Sequence, residues 1–375
     1  IHNDLKPRDI ITRASIENAV SLVMATGGST NAVLHYLAIA HAADVEWTID
    51  DFERIRKRVP VLCDLKPSGR YVAVDFNAAG GVPQVLRMLL DAGLLNGECM
   101  TITGRSMAEE LSSVAARPRA DQDVIRAFDE PIYPHGHLAI LHGNLAPEGS
   151  VIKSTAIDAS VVDDDQVYRH VGPARVFADE REAIKAVKGG SERPIKPGDV
   201  IVLIGNGPSG TGMQETAQIT TALKYLPWGK QVALLTDGRF SGFSSGACIG
   251  HIGPEALQHG PIGRVRDDDM IEIIIDRGDG LTGSINLVGA AGVRLSPAEC
   301  DALLAERESF AGLAPHPSLP EDTRLWAALQ RASGGTWAGC VYDVDRIVDL
   351  LDAGLRATAG RAGDSTDAPL TEVMS

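Results

Sequence analysis

Two stretches in the second half of the chain join a short apolar run to a dense glycine turn, and they constrain the fold more than any other feature. Val200 to Ile204 runs into Gly205-Asn-Gly-Pro-Ser-Gly-Thr-Gly-Met-Gln-Glu215, and Val232 to Thr236 runs into Asp237-Gly-Arg-Phe-Ser-Gly242. Short apolar runs bounded by turn residues read as strands. Glycines at this density permit positive backbone angles and let backbone amides approach an anion closely. The two loops therefore read as the walls of a site for a small acid.

The rest of the composition agrees with a globular enzyme-sized chain. With 375 residues, 44% hydrophobic and 23% charged, there is enough sequence for two packed domains. Only 5% is aromatic against 39 glycines, which favours backbone-lined pockets over aromatic-walled ones. A formal charge of -15 repels nucleic acid and anionic lipid, so an anionic substrate needs local arginines, helix N-termini or a metal. No apolar run approaches the roughly 20 residues that cross a bilayer, and no basic leader precedes a cleavage site, so a cytoplasmic location is expected. Cysteines at 63, 99, 248, 300 and 340 form no CxxC pair; they read as buried small hydrophobes, although distant cysteines can still meet in space. The text opens Ile1-His-Asn-Asp and turns helix-like almost at once, which reads as the later part of a longer polypeptide.

Residues 8–117 alternate helix and strand signals. Glu17 to Met24 is apolar and helical, Gly27-Gly28 breaks it, and Ser29 or Thr30 can cap a helix from Asn31 to about Ala43. Thr48-Ile-Asp-Asp51 resembles a capping box before Phe52 to Val59, Val61 to Leu65 is a strand candidate, and Val82 to Ala92 is bounded by Pro83 and Gly93. Beyond Pro118 the signals become short strands, at Leu138–Leu141, Val151–Lys153, Arg175–Phe177, Val200–Ile204, Val232–Thr236, Met270–Asp276 and Ser284–Leu287. That spacing predicts a barrel decorated with helices, among them Asp179–Val187 and Pro297–Arg307. The expected division is an α/β segment over residues 1–130, a β-rich barrel over 131–356 and a flexible tail over 357–375.

Each motif has a chemical reading and a plainer one. Gly205-x-Gly-x-x-Gly210 with Asp237 after the next strand has the order of a dinucleotide-binding unit and admits an NAD-dependent dehydrogenase, but Pro208 and Gly212 depart from it. Gly242-Phe-Ser244-Ser-Gly246 has nucleophile-elbow spacing, with His251, His259 and His316 downstream. Glu215 is either a first-turn acid favoured by a helix dipole or a hard ligand for Mg2+. Arg239 and Ser241 are either turn residues or part of a site, and Ser29 and Thr30 either cap a helix or cradle an anion. None of the ten histidines forms an HxxxH or HExxH pair.

Taken together, Ala25-Thr-Gly-Gly-Ser-Thr-Asn-Ala-Val-Leu-His35, Asp64-Leu-Lys-Pro-Ser-Gly-Arg70, Gly143-Asn-Leu-Ala-Pro147, Gly172-Pro-Ala-Arg-Val-Phe177 and the two glycine loops resemble the dihydroxy-acid and sugar-acid dehydratase family, in order along nearly the whole chain. Gly246 to Ala256, Asp322 to Ala327 and Ser333 to Asp343 resemble its bacterial D-xylonate branch. Gln214 stands where the branched-chain amino-acid branch usually has proline. The resemblance implies the end of a three-layer α/β domain followed by a swivelling barrel, and a homodimer or homotetramer. It implies a [2Fe-2S] cluster and Mg2+, and conversion of a 2,3-dihydroxy sugar acid to a 2-keto-3-deoxy acid. By resemblance Ser241 is the base and Glu215 the Mg2+ ligand, while Ser29, Thr30 and Arg239 bind substrate. The cluster ligands of the family precede the motifs seen here, so no cysteine of this chain is assigned to iron, and the chain alone is expected to be inactive. A dihydroxy-acid dehydratase of branched-chain amino-acid synthesis is the alternative within the family.

Overall fold

The computed structural model describes residues 4–278 and 281–363. At its centre a sheet closes on itself. The strands are β1 (Leu138–Gly143), β2 (Ala146–Lys153), β3 (Val167–Phe177), β4 (Val200–Leu203), β5 (Glu215–Thr216), β6 (Ala233–Thr236), β7 (Arg239–Phe240), β8 (Ala247–Gly253), β9 (Met270–Asp276), β10 (Gly283–Ala290) and β11 (Val293–Arg294). Eight of them form a barrel in the order β1-β2-β8-β6-β4-β3-β9-β10, closed where His142 of β1 meets Ser284 of β10. β3, β4, β6 and β8 run parallel to one another. β11 extends β10, and β5 pairs only with β7.

The apolar pattern explains which strands carry helices. Val200, Val202, Ala233, Leu235, Ala247 and Ile249 fill the barrel, while Ile201, Leu203, Leu234 and Cys248 face outward into a second cluster with residues of the helices Glu180–Val187 and Gln218–Lys224. Parallel strands buried on both faces need continuous apolar runs, and these have them. β9 has one covered face: Ile271, Ile273 and Ile275 are fully buried and the residues between them are half-buried. Each such side chain contributes about 1.5–3 kcal/mol by leaving water.

Helices Arg13–Thr26, Asn31–Ala42, Ile49–Arg56 and Gly81–Asp91 build a third core that takes in Leu138, Ile140 and Val151 from the other face of β1 and β2. The helical layer thus lies directly on the barrel wall. Arg56 crosses that contact, donating to Glu53 at 2.7 Å and to the Leu281 carbonyl at 3.0 Å. Val61 to Leu65, expected as a strand, makes only isolated bridges. Its amides at Val61, Leu62 and Asp64 go to the carbonyls of Tyr133, Ala25 and Val124, three separate segments, so no ladder forms. Downstream, Pro297–Glu306, Glu321–Ser333 and Val344–Gly363 are helices. The last runs into the segment expected as a tail from 357; alanine is the strongest helix former, and Ala357 continues the helix rather than ending it. Residues 364–375 lie outside the described residues. No described helix is long and apolar enough to cross a membrane.

Candidate active site

Because β4 and β6 are neighbours in parallel register, Val200 beside Ala233, their following loops leave the same rim of the barrel. Gly205 turns the first loop at φ 78°, and a Cβ on Gly210 would lie 1.9 Å from the Gly205 carbonyl oxygen, so the turn closes only with glycine. Asp237, wholly buried, accepts the amide N–H groups of Gly205 at 3.0 Å, Asn206 at 2.8 Å and Ala256 at 3.0 Å. Burial raises its pKa while those amides oppose the shift. The acid that the dinucleotide reading reserved for a ribose is therefore spent on holding the loops. Glu255 fastens the other side, accepting from the Ser209 hydroxyl at 2.7 Å and from Gln258 at 2.8 Å. Burial pushes its carboxyl up to about 7.

Beyond the turns the loops knit together as β5 and β7, with Glu215 opposite Arg239 and Thr216 opposite Phe240. Ser241 follows at once, its amide 3.5 Å from the Thr216 carbonyl. Arg239 lies 3.9 Å from the Glu215 carboxylate and donates from Nε to the Met213 carbonyl at 2.6 Å. The helical layer completes the arrangement. Asn31, at the start of helix Asn31–Ala42, brings Nδ2 into a very short contact with Glu215 Oε1, and Ser29 Oγ accepts the Asn31 amide N–H at 3.2 Å. Ser29, Thr30 and Ser241 line one small cavity of about 20 Å3 with Lys153. The five residues singled out from the sequence are thus gathered where the barrel loops meet the first helices.

The donor set decides which cofactors this chain can hold. Asn31 Oδ1 is buried with no hydrogen-bond partner, and a half-turn of that amide would place it beside the Glu215 carboxylate. One carboxylate and one amide oxygen suit Mg2+, which keeps much of its water shell. Among the described residues no three His, Cys, Asp or Glu side chains gather as a metal cluster. A [2Fe-2S] cluster does not fit: Cys63, Cys248 and Cys300 belong to three separate hydrophobic clusters, and burial pushes the Cys63, Cys248 and Cys340 thiols up to about 12.

Residues 1–110 match the family described as dihydroxy-acid/6-phosphogluconate dehydratase N-terminal, and residues 123–282 match its C-terminal counterpart. The chain belongs to this dehydratase family. It is 48% identical to D-xylonate dehydratase YagF of Escherichia coli (strain K12) over 371 residues, covering 93% of the chain and 56% of that protein. It is 57% identical over 274 residues to the dihydroxy-acid dehydratases of Burkholderia mallei (strain SAVP1) and Burkholderia pseudomallei (strain K96243), covering 73% of the chain and 47% of each. The chain spans about half the length of these curated relatives.

In the dehydratase frame, several residues that sequence reasoning passed over stand beside the site. Asn31 lay inside a quoted motif yet looked like a helix start. Lys153 ends β2 as an ordinary strand residue; its side chain is buried and donates to the Gly27 carbonyl at 2.7 Å. His137, also buried, meets the Gly28 carbonyl at 2.7 Å, and burial holds its imidazole down to about 3, so it is neutral. Ser244, the candidate elbow nucleophile, is buried and shares a 3.1 Å hydrogen bond with the Thr220 hydroxyl instead of a histidine.

Proposed function

We propose that this chain is part of a hydro-lyase that dehydrates a 2,3-dihydroxy sugar acid, D-xylonate or a similar aldonic acid, to a 2-keto-3-deoxy acid. The observation that carries the reading is the meeting of Ser241, Glu215 and Arg239 with Ser29 and Thr30 at one mouth, in a chain of this family. In the proposed reaction Ser241 Oγ, as an alkoxide, takes the C2 proton while the C3 hydroxyl departs. The proton then passes from Ser241 Oγ to the departing hydroxide, one water is released, and the enol tautomerises to the ketone. A free serine is far too weak a base, so its alkoxide needs nearby positive charge. Glu215, with the Asn31 oxygen, would hold Mg2+, which supplies a Lewis acid for substrate oxygens when bound. Arg239 presents its planar fork, and Ser29 and Thr30 their hydroxyls, to the remaining oxygens. The iron-sulfur cluster implied by the family finds no ligand set here, and no step is assigned to it. In the same reading residues 1–130 close a three-layer α/β domain, residues 131–356 form the barrel domain that swivels against it, and the cytoplasmic enzyme is a homodimer or homotetramer. The chain by itself is inactive.

Coverage favours the sugar acid. A match over 93% of the chain has to include much of the helical region after residue 282, which the family match does not reach. The higher identity, 57%, favours instead a dihydroxy acid with a branched apolar tail. Purified holoenzyme offered D-xylonate and 2,3-dihydroxyisovalerate in parallel separates the two. The sugar-acid reading expects kcat/KM at least about tenfold higher for D-xylonate, a difference of roughly 1.4 kcal/mol in transition-state binding. The reverse preference would move the chain to the branched-acid reading.

A further inference from the structure

The cavity shared by Ser29, Thr30 and Ser241 has a fourth wall that the proposed function leaves unused. Lys153, a residue 8% exposed, reaches it from the end of β2. Its Nζ donates to the Gly27 carbonyl at 2.7 Å, and among the described residues no carboxylate pairs with it. Arg239, the other cation at the mouth, already lies 3.9 Å from Glu215. Lys153 is therefore the buried cation without an anion. Burying an unpaired charge is costly, and the expense persists only where something else repays it. Burial alone pulls its pKa down to about 8, so at neutral pH the amine still carries its proton.

The space admits one small group. About 20 Å3 accommodates one water-sized atom, such as a single oxygen, in a cavity lined by Lys153 and by the hydroxyl residues Ser29, Thr30, Ser241 and Ser244. The cavity shares Ala156, Ser244, Gly246 and Cys248 with a groove of about 640 Å3 whose walls include Ser68, Thr155, Ser245, Lys224 and Lys230. Lys230 is paired with Asp158 of the same wall at 3.8 Å, so among the described residues Lys224 is the unpaired charge of the groove.

We infer that Lys153 binds the carboxylate of the substrate, one oxygen seated in the small cavity that Lys153 lines with Ser29, Thr30 and Ser241. This assignment rests on the sugar-acid reading of the same site. It sets C2 next to the cavity that Ser241 lines, and it gives the enzyme a way to reject neutral polyols.

The test uses holoenzyme carrying Ser241→Ala, in which ligand binding can be followed without turnover, titrated calorimetrically with D-xylonate and with xylitol. Adding Lys153→Met should weaken D-xylonate binding by about 10- to 100-fold, the worth of one charge-assisted hydrogen bond, and leave xylitol unchanged. Lys153→Gln keeps a donor for the Gly27 carbonyl but not the charge, so it should lose affinity to the same extent. Lys153→Arg should recover part of it. In the otherwise unaltered enzyme the same changes should raise KM more than they lower kcat. Equal D-xylonate affinity with and without the Lys153 charge, or full rescue by glutamine, would overturn the inference while leaving the dehydratase reading in place. Failure of the Ser241→Ala protein and of the unaltered enzyme to bind any aldonic acid would overturn both.

Discussion

At the scale of residues, the site depends on buried acids that do no chemistry. Asp237 and Glu255 sit under the glycine loops and take their backbone amides and the Ser209 hydroxyl as partners. A carboxyl whose pKa rises on folding, as that of Glu255 does to about 7, binds its proton more tightly folded than unfolded. Its contribution is fully present below the unfolded value of about 4.3 and is lost as pH rises through 7. Thermal melts across this window should therefore show stability declining toward pH 8, by about 1–3 kcal/mol from this group. Glu255→Gln should make that decline shallower, and an unchanged slope would mean the group does not titrate there. Glu215, Ser241, Arg239, Ser29 and Thr30 were legible in the sequence because they sit in glycine-bounded loops, where a polar side chain has few structural duties. Lys153 was not. Nothing in Val-Ile-Lys at the end of a strand reveals that the amine turns inward to a carbonyl 126 positions earlier.

At the scale of elements, the sequence spoke clearly wherever one rule governed a segment. β9 matched its expected span because Ile271, Ile273 and Ile275 alternate with half-buried residues. The helix Glu180–Val187 started where Asp179 caps the amides of Arg181 and Glu182. β8 escaped notice because Gly250 and His251 interrupt its apolar run, although a Cβ at Gly250 would come within 3.1 Å of the Gly238 carbonyl and the Phe240 ring. β5 and β7 were invisible for another reason: two-residue strands are made by tertiary pairing, not by propensity. The turn that delivers β5 makes a prediction of its own. Gly210→Ala would press a methyl group against the Gly205 carbonyl, and the chain must move to relieve it. A destabilisation of about 1–3 kcal/mol is expected in chemical denaturation, together with lost activity because Glu215 is displaced. A variant as stable and active as the parent would show that the loop has room to spare.

At the scale of the whole molecule, the arrangement is a barrel wall with a helical layer laid against it and the candidate site at their junction. Val151 of β2 belongs to the helical core while its neighbour Ile152 belongs to the barrel core, so one strand serves both. Asn31 and Lys153 reach across the same boundary, one toward Glu215 and the other toward Gly27. That placement brings residues more than 180 positions apart in sequence into contact. The most direct test of the account is the rate of water elimination from D-xylonate by holoenzyme carrying Ser241→Ala, with iron content and Mg2+ affinity measured alongside. The account predicts a fall in kcat of about 100- to 10,000-fold, the usual worth of a positioned base, with metal content unchanged. Turnover at the parent rate would contradict it.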